Sequence, residues 1–142
     1  GLDRAIKAYL LTGRPFLGIC LGMQLLFERS EEGDARGLGL LPGTVRRFPA
    51  LPGLKIPHMG WNRLHGSQSA LLPEQESFYF VHSYYVQPDD PNRVAAWSSH
   101  GISFAAAVRD RQILLTQFHP EKSGDAGLRL LKRWAAGNGP EA

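Results

Sequence analysis

The hydrophobic pattern at the start of the chain predicts a helix followed by a buried strand. Apolar side chains recur at helical spacing over residues 2–11, and Gly13 and Pro15 then end the helix. Residues 16–19 form a short apolar run after a proline, which fits a buried strand. Apolar positions at helical intervals return over residues 21–29, so we predict a second helix there.

Strand patterns dominate the rest of the chain. Residues 30–43 are acidic and then glycine-rich, which indicates a long connection with turns. The candidate strands that follow are residues 44–48, 55–58, 78–86, 93–98, 102–108 and 113–118. We expect the last three to form an antiparallel meander, because parallel neighbours need a crossover of about a dozen residues. Ser123 fits the N-cap of a final helix.

The composition fits one α/β domain over residues 1–142. Of the 142 residues, 43% are hydrophobic and 20% charged, which is typical of a globular protein. The 16 Lys and Arg against 13 Asp and Glu leave a net charge of +3 without a block of like charges, so we expect neither nucleic acid nor membrane as partner. We predict that Trp61, Trp97 and Trp134 are packing residues.

Cysteine and histidine spacing limits the possible chemistry. Cys20 is the one cysteine in the sequence, which excludes a disulfide framework within the chain. The apolar run at residues 16–23 is shorter than the ~20 residues that a membrane-spanning helix needs. The histidines show no tight ligand spacing such as H-x-x-x-H, so we expect no metal site.

The sharpest local signal is a G-x-C-x-G motif centred on Cys20, at the predicted strand-to-helix junction. It is the thiol counterpart of the nucleophile elbow, a turn so sharp that Gly18 and Gly22 come close together and only glycine leaves room. The helix N-terminus would lower the pKa of the Cys20 thiol. The N–H of Leu21 would face the oxygen of a tetrahedral intermediate. The alternative is that Cys20 is a small buried hydrophobe.

A base and a carboxylate occur far downstream, at His119 and Glu121. Pro120 biases His119 away from helical angles, and in extended chain the side chains at i and i+2 point to the same side. The two side chains can then share a face, with the carboxylate orienting the imidazole as in a nucleophile, base and orienter set. The alternatives are a hydrogen-bonded histidine at a strand end and an acidic residue before a helix.

These motifs resemble those of the class I (triad) glutamine amidotransferases, and the resemblance covers essentially the whole chain. Residues 15–24 (PFLGICLGMQ) look like that family's elbow, and residues 117–123 (QFHPEKS) look like its His/Glu motif. Residues 37–43, 55–62 and 80–84 resemble segments of the branch that works in histidine biosynthesis. The fold implied is a three-layer α/β sandwich with a mixed sheet and a nucleophile elbow.

The function implied by the resemblance is that of a cytoplasmic glutaminase without a cofactor. Cys20 would attack the side-chain amide of glutamine, His119 would move the proton, and Glu121 would orient His119. The ammonia would pass to a (β/α)₈-barrel cyclase subunit that makes imidazole glycerol phosphate, in a heterodimer. The residues that fall where such enzymes hold the backbone ends of glutamine are Gln24, Glu32, Ser83 and Tyr84.

Two of these substrate positions also have a physical argument of their own. The Glu32 carboxylate suits the α-ammonium group of glutamine, and Gln24 lies one helical turn after the nucleophile.

One departure from the family pattern concerns the residues before Gly1. Family members begin with further α/β structure and a Pro-Gly-x-Gly oxyanion loop, so we expect this chain to be an N-terminally truncated, C-terminal portion of the family domain. Loss of one oxyanion donor costs ~10²–10³ in rate, so weak activity or none is expected of the isolated chain. The alternatives are another class I glutaminase, a γ-glutamyl hydrolase, or an inactive fragment that docks on the cyclase.

Overall fold

The central layer is a four-stranded mixed sheet. In the computed structural model, which describes residues 1–140, β1 (Phe16–Ile19) pairs in parallel with β10 (Ile113–Thr116). β9 (Ile102–Asp110) pairs antiparallel with β10 on one side and with β8 (Val94–His100) on the other. The strand order is β1-β10-β9-β8, which confirms the predicted meander of the last three strands.

Two further sheets pack around this layer. The larger consists of β2 (Phe27–Ser30), β3 (Ala35–Arg36), β4 (Leu41–Arg47) and β7 (Tyr84–Pro88). Its strand order is β3-β2-β4-β7, with β2 and β4 parallel and the other pairs antiparallel. The smaller is an antiparallel ladder of β5 (His58–Arg63) and β6 (Ser77–His82).

The helices are short and few in the described part of the chain. They are α1 (Leu2–Leu11), α2 (Leu21–Gln24) and α3 (Gly124–Ala135), with 3₁₀ turns at Glu32–Asp34, Pro91–Arg93 and Pro120–Lys122. None of these helices has the length and apolar character needed to cross a membrane.

Both faces of the central sheet are buried, which gives the molecule its layers. Along β10, Leu114 points into a cluster with Phe80 of β6 and Leu130 of α3. Its neighbour Leu115 points the opposite way, into a cluster with Val45 of the second sheet. Successive strand side chains alternate between faces, so β10 contributes to both clusters. The α/β class with a mixed sheet is therefore confirmed.

The predicted helix over residues 21–29 is wrong beyond Gln24. The carbonyl groups of Leu25, Leu26 and Phe27 accept hydrogen bonds from backbone N–H groups within residues 38–41, not from the next helical turn. Phe27 then opens β2 and lies opposite Leu41 of β4. A short apolar run fits either a helix or a strand, and pairing with the glycine-rich segment decides between them here.

Other strand predictions differ from the structure where the chain changes sheet. The single strand predicted over residues 78–86 is two strands, because β6 pairs with β5 whereas β7 pairs with β4, and Ser83 lies between them. The strand predicted over residues 55–58 begins only at His58, after Pro57, which has no N–H to donate to a ladder. β4 begins at Leu41, earlier than predicted.

The prediction that all three tryptophans pack inside is wrong for Trp61. Its side chain is 58% exposed on β5. Trp97 and Trp134 are partly buried and pack against the two core clusters, as predicted.

The turn between β1 and α2 depends on Gly18. A Cβ at this position would lie 2.6 Å from Cδ2 of Leu115 and 2.9 Å from the carbonyl oxygen of Gly22. A Cβ on Gly22 would meet nothing within 4 Å. The steric argument for two glycines is therefore confirmed for Gly18 and wrong for Gly22.

We expect Gly18→Ala to lower the free energy of unfolding by about 1–3 kcal/mol, because the added methyl group overpacks a tight turn. Gly22→Ala is the matched control, and it should be neutral or slightly stabilising because alanine favours a helix. Denaturant unfolding of the two variants measures the difference. Equal effects would contradict the steric role of Gly18.

Candidate active site

Cys20 lies at the tip of the β1–α2 turn in a backbone conformation that non-glycine residues rarely adopt. Its φ is 52° and its ψ is −106°. Its N–H donates to the carbonyl oxygen of Thr116 at 2.7 Å, which ties the turn to the end of β10. Backbone strain of this kind clusters at functional sites, where the surrounding structure holds it in place.

The sulfur of Cys20 is half-buried among polar groups. Sγ lies 3.6 Å from Nε2 of Gln117 and 3.9 Å from the carbonyl oxygen of Val81. Burial raises the pKa of the Cys20 thiol, although the N–H of Leu21 and the side chain of Gln117 act in the opposite direction. The prediction of a lowered pKa is therefore wrong. The reason is that the cost of burying the thiolate outweighs the hydrogen bonds that favour it, including the one from the N–H of Leu21 at the start of α2.

The His119 imidazole is paired with the Glu121 carboxylate. Nδ1 of His119 lies 3.0 Å from Oε1 of Glu121, so the two side chains share a face. The 3₁₀ turn Pro120–Lys122 brings them together, whereas extended backbone was predicted from the sequence. Because Nδ1 faces the carboxylate, Nε2 is the nitrogen left for proton transfer.

The backbone of His119 is held between β6 and α3. Its N–H donates to the carbonyl oxygen of Tyr79 at 2.9 Å. The Ser123 hydroxyl donates to the carbonyl oxygen of His119 at 2.6 Å and accepts from the N–H of Tyr79 at 2.9 Å. Ser123 occupies the N-cap position of α3 as predicted, but its hydroxyl does not cap the helix. It fixes His119 instead.

A cleft of about 310 Å³ opens beside Cys20. Its lining consists of Cys20, Leu21, Gln24, Glu32, Val81, His82, Ser83 and Tyr84. The structure thus brings the four residues expected to hold glutamine to one cleft with the cysteine. The break between β6 and β7 carries Ser83 and Tyr84 to this cleft.

His119 and Glu121 lie outside the lining of this cleft. Among the described residues, the hydrogen-bond partners of the Cys20 sulfur are Gln117 and Val81, and the thiol is not hydrogen-bonded to His119. Glu121 is nevertheless close enough for its charge to raise the pKa of the Cys20 thiol. Catalytic contacts often tighten only when substrate is bound.

Gln117 belongs to the site but was not predicted from the sequence. Its side chain is fully buried, and its Oε1 accepts from Nε2 of Gln24 at 3.2 Å. The same Gln24 nitrogen donates to the carbonyl oxygen of Tyr84 at 3.2 Å. The available signal was an uncharged polar residue directly after an apolar strand and two positions before His119.

A buried histidine pair, of which His82 lines the cleft, was also not predicted from the sequence. Nδ1 of His82 lies 2.7 Å from the carbonyl oxygen of Tyr84, so it carries the proton, and Nε2 then accepts from Nδ1 of His58 at 2.9 Å. Burial lowers the pKa of His82 to about 3 and that of His58 to about 4. No group of three or more metal-ligating side chains occurs among residues 1–140.

Comparison with known protein families assigns the chain to one family. The family model described as glutamine amidotransferase class-I matches residues 2–136. The chain belongs to the class-I glutamine amidotransferase family. The resemblance of the Cys20 and His119 motifs to that family is therefore confirmed.

Curated relatives narrow the class further. The chain is 55% identical over 137 residues to a protein named imidazole glycerol phosphate synthase subunit HisH from Microcystis aeruginosa, covering 92% of the chain and 64% of the relative. It is 50% identical over 140 residues to a protein of the same name from a Synechococcus species, covering 94% of the chain and 65% of the relative. The chain thus spans just under two thirds of the length of these relatives.

Solved structures share the fold at low sequence identity. A glutamine amidotransferase from Thermotoga maritima superposes with a TM-score of 0.61 at 20% identity, over 94% of this chain and 52% of that one. Another glutamine amidotransferase gives a TM-score of 0.65 at 20% identity, over 95% and 69% of the two chains. These matches support the fold.

The buried histidine pair predicts acid sensitivity. The folded chain keeps His58 neutral down to a pKa of about 4, whereas the unfolded chain binds the proton near pH 6.5. The stability that depends on a neutral His58 is therefore fully present above pH 6.5, and it is lost as the pH falls towards 4. We expect His58→Asn to reduce this loss by about 1–3 kcal/mol, as measured by denaturant unfolding at each pH.

The matched control for this titration is His65→Asn, at a partly exposed position. A His58→Asn variant that lost stability as steeply as the control would show that the buried imidazole is not the titrating group.

Proposed function

We propose that this chain hydrolyses glutamine to glutamate and ammonia. The observation that carries the proposal is the cleft that gathers Cys20 with the four residues Gln24, Glu32, Ser83 and Tyr84 from separate segments of the chain. The paired His119 and Glu121 supply a base and its orienting carboxylate. Membership of the class-I glutamine amidotransferase family supports the same chemistry.

The first half of the reaction forms a thioester. Sγ of Cys20 attacks the carbonyl carbon of the glutamine side-chain amide, and the thiol proton passes to Nε2 of His119. His119 then gives the proton to the leaving nitrogen, which departs as ammonia and leaves a γ-glutamyl thioester on Cys20. Glu121, 3.0 Å from Nδ1, stabilises the imidazolium that forms in between. The N–H of Leu21 donates to the developing oxyanion.

The second half of the reaction hydrolyses the thioester. His119 takes a proton from water, the hydroxide attacks the thioester carbonyl, and the proton returns to the departing sulfur. Because the Cys20 thiol has a raised pKa and is protonated at neutral pH, the base is needed before the first attack. His119 therefore acts in both halves.

Two sides of the cleft hold the backbone end of glutamine in this proposal. The carboxylate of Glu32 attracts the α-ammonium group. Ser83 and Tyr84 face the α-carboxylate, and the backbone there is rigid because the carbonyl oxygen of Tyr84 accepts from both Gln24 and His82. Gln24 lines the same cleft.

The names of the relatives support a role for the ammonia. Both are called subunits of imidazole glycerol phosphate synthase, which favours delivery of ammonia to a (β/α)₈-barrel cyclase subunit in histidine biosynthesis. The cytoplasm suits a reaction that depends on a free thiol, because thiols stay reduced there. Residues 1–142 would belong to one glutaminase domain within this assembly.

Exposed apolar side chains on β5 suggest where the partner docks. Met59 and Trp61 are 63% and 58% exposed and lie two residues apart, on the same face of the strand. The Trp61 ring lies 6.3 Å from the ring of Tyr79, whose backbone anchors His119. A partner seated on this face would cover the base side of the site, where ammonia must be kept from water.

We expect 6-diazo-5-oxo-L-norleucine, a glutamine analogue with a reactive γ-carbon, to add once to Cys20 in the presence of the cyclase and its ligand. Mass spectrometry of the intact chain measures the adduct. Cys20→Ala and His119→Asn should each lower glutamate formation by about 10²–10⁴, because nucleophile and base are lost. His65→Asn is the control and should retain activity. An unlabelled Cys20 would contradict glutaminase activity and favour a docking module.

We expect Trp61→Ala to weaken binding of the cyclase by about 2 kcal/mol or more, because large aromatic side chains dominate interface energies. Leu128→Ala is the matched control, since Leu128 is 49% exposed on α3, and it should bind as the unsubstituted chain does. Titration calorimetry measures both affinities. Equal binding by the two variants would place the partner elsewhere.

A further inference from the structure

Gln117 links the reacting sulfur to the substrate cleft. Its side chain is fully buried, with Nε2 at 3.6 Å from Sγ of Cys20 and Oε1 at 3.2 Å from Nε2 of Gln24. Burying a carboxamide costs free energy unless both its ends are hydrogen-bonded, and here both are. Gln117 has no role in the proposed two-step hydrolysis.

The direction of this hydrogen-bond chain is fixed from its far end. The carbonyl oxygen of Tyr84 can only accept, so the nitrogen of the Gln24 side chain must face it. That nitrogen can only donate, so Oε1 of Gln117 must face Gln24. The Gln117 amide is therefore oriented with its N–H group towards the Cys20 sulfur. A flipped amide would set two donors against each other.

A donor aimed at sulfur favours the thiolate over the thiol, because a hydrogen bond to an ionised acceptor is about twice as strong as one to a neutral acceptor. We propose that Gln117 is a further catalytic residue, whose side-chain N–H group stabilises the Cys20 thiolate and holds the sulfur at the cleft. This inference rests on the proposed function, since a stabilised thiolate matters only if Cys20 is the nucleophile. The contact itself is independent of the substrate.

The other groups around the sulfur do not replace this donor. The N–H of Leu21 also favours the thiolate, but in the proposed mechanism it donates to the oxyanion when the tetrahedral intermediate forms. The charge of Glu121 raises the pKa of the thiol and that of Lys122 lowers it. Burial disfavours the thiolate, and the side-chain hydrogen bond from Gln117 opposes that effect directly at the sulfur.

Two substitutions at Gln117 separate the loss of the donor from the addition of a charge. Gln117→Met has similar length without polar atoms, and it leaves the Gln24 nitrogen with the carbonyl oxygen of Tyr84 as acceptor. Gln117→Glu keeps the shape but sets an acceptor against the sulfur. Gln87, exposed on β7, is the matched control position for Gln87→Met and Gln87→Glu.

Alkylation by iodoacetamide as a function of pH reports the ionisation of Cys20 without interference, because the chain has one cysteine. We expect the midpoint of the rate profile to rise by about one pH unit in Gln117→Met and by more in Gln117→Glu. At a fixed pH below the midpoint, the alkylation rate of a variant then falls about tenfold for each pH unit by which its midpoint has risen. The Gln87 variants should keep the original midpoint.

A measurement on the unsubstituted chain does not depend on whether the variants fold. The side-chain amide protons of Gln117 should shift downfield in NMR spectra as Cys20 ionises, with the same midpoint as alkylation. An unchanged amide signal across that midpoint, or Gln117 variants that titrate like the Gln87 controls, would overturn the inference. Absence of glutaminase activity with the shifted midpoints intact would instead overturn the proposed function alone.

Discussion

The site depends on the parallel pairing of β1 with β10. In this register Ile19 lies opposite Thr116, so both strands end at the same edge of the central sheet. The residue after β1 is Cys20, and the chain that leaves β10 carries Gln117 and His119. The hydrogen bond from the Cys20 N–H to Thr116 locks the two ends together. A ladder between segments nearly a hundred positions apart thus places the sulfur beside the chain that carries His119.

Burial and hydrogen bonding oppose each other at the sulfur. The half-buried position keeps the thiol protonated, which favours a resting state with low reactivity. The same low-dielectric surroundings strengthen every hydrogen bond that the thiolate accepts. In the wall of the cleft, the histidine pair and the glutamine pair meet at the carbonyl oxygen of Tyr84. Polar groups that would be costly one by one form a connected network that makes the cleft rigid.

Local patterns predicted the elements whose structure depends on near neighbours. The bounds of α1 and β1 match the sequence prediction, because the spacing of apolar residues and the following glycine or proline decide them. The pairing of His119 with Glu121 was also foreseen, since two residues of separation keep the groups within reach in either backbone form. Errors arose at Leu25 and Ser83, where the chain joins a sheet whose other strands are remote in sequence.

The sequence by itself determined which chemical groups are available: one thiol in a tight turn, one imidazole beside a carboxylate, and a family to which both motifs belong. Tertiary structure alone decided that Gln117 donates to the sulfur, that His58 and His82 form a buried pair, and that burial raises the pKa of the thiol. The reason is physical. Spacing along the chain constrains only neighbouring residues, whereas strand register and burial depend on the packing of the whole molecule.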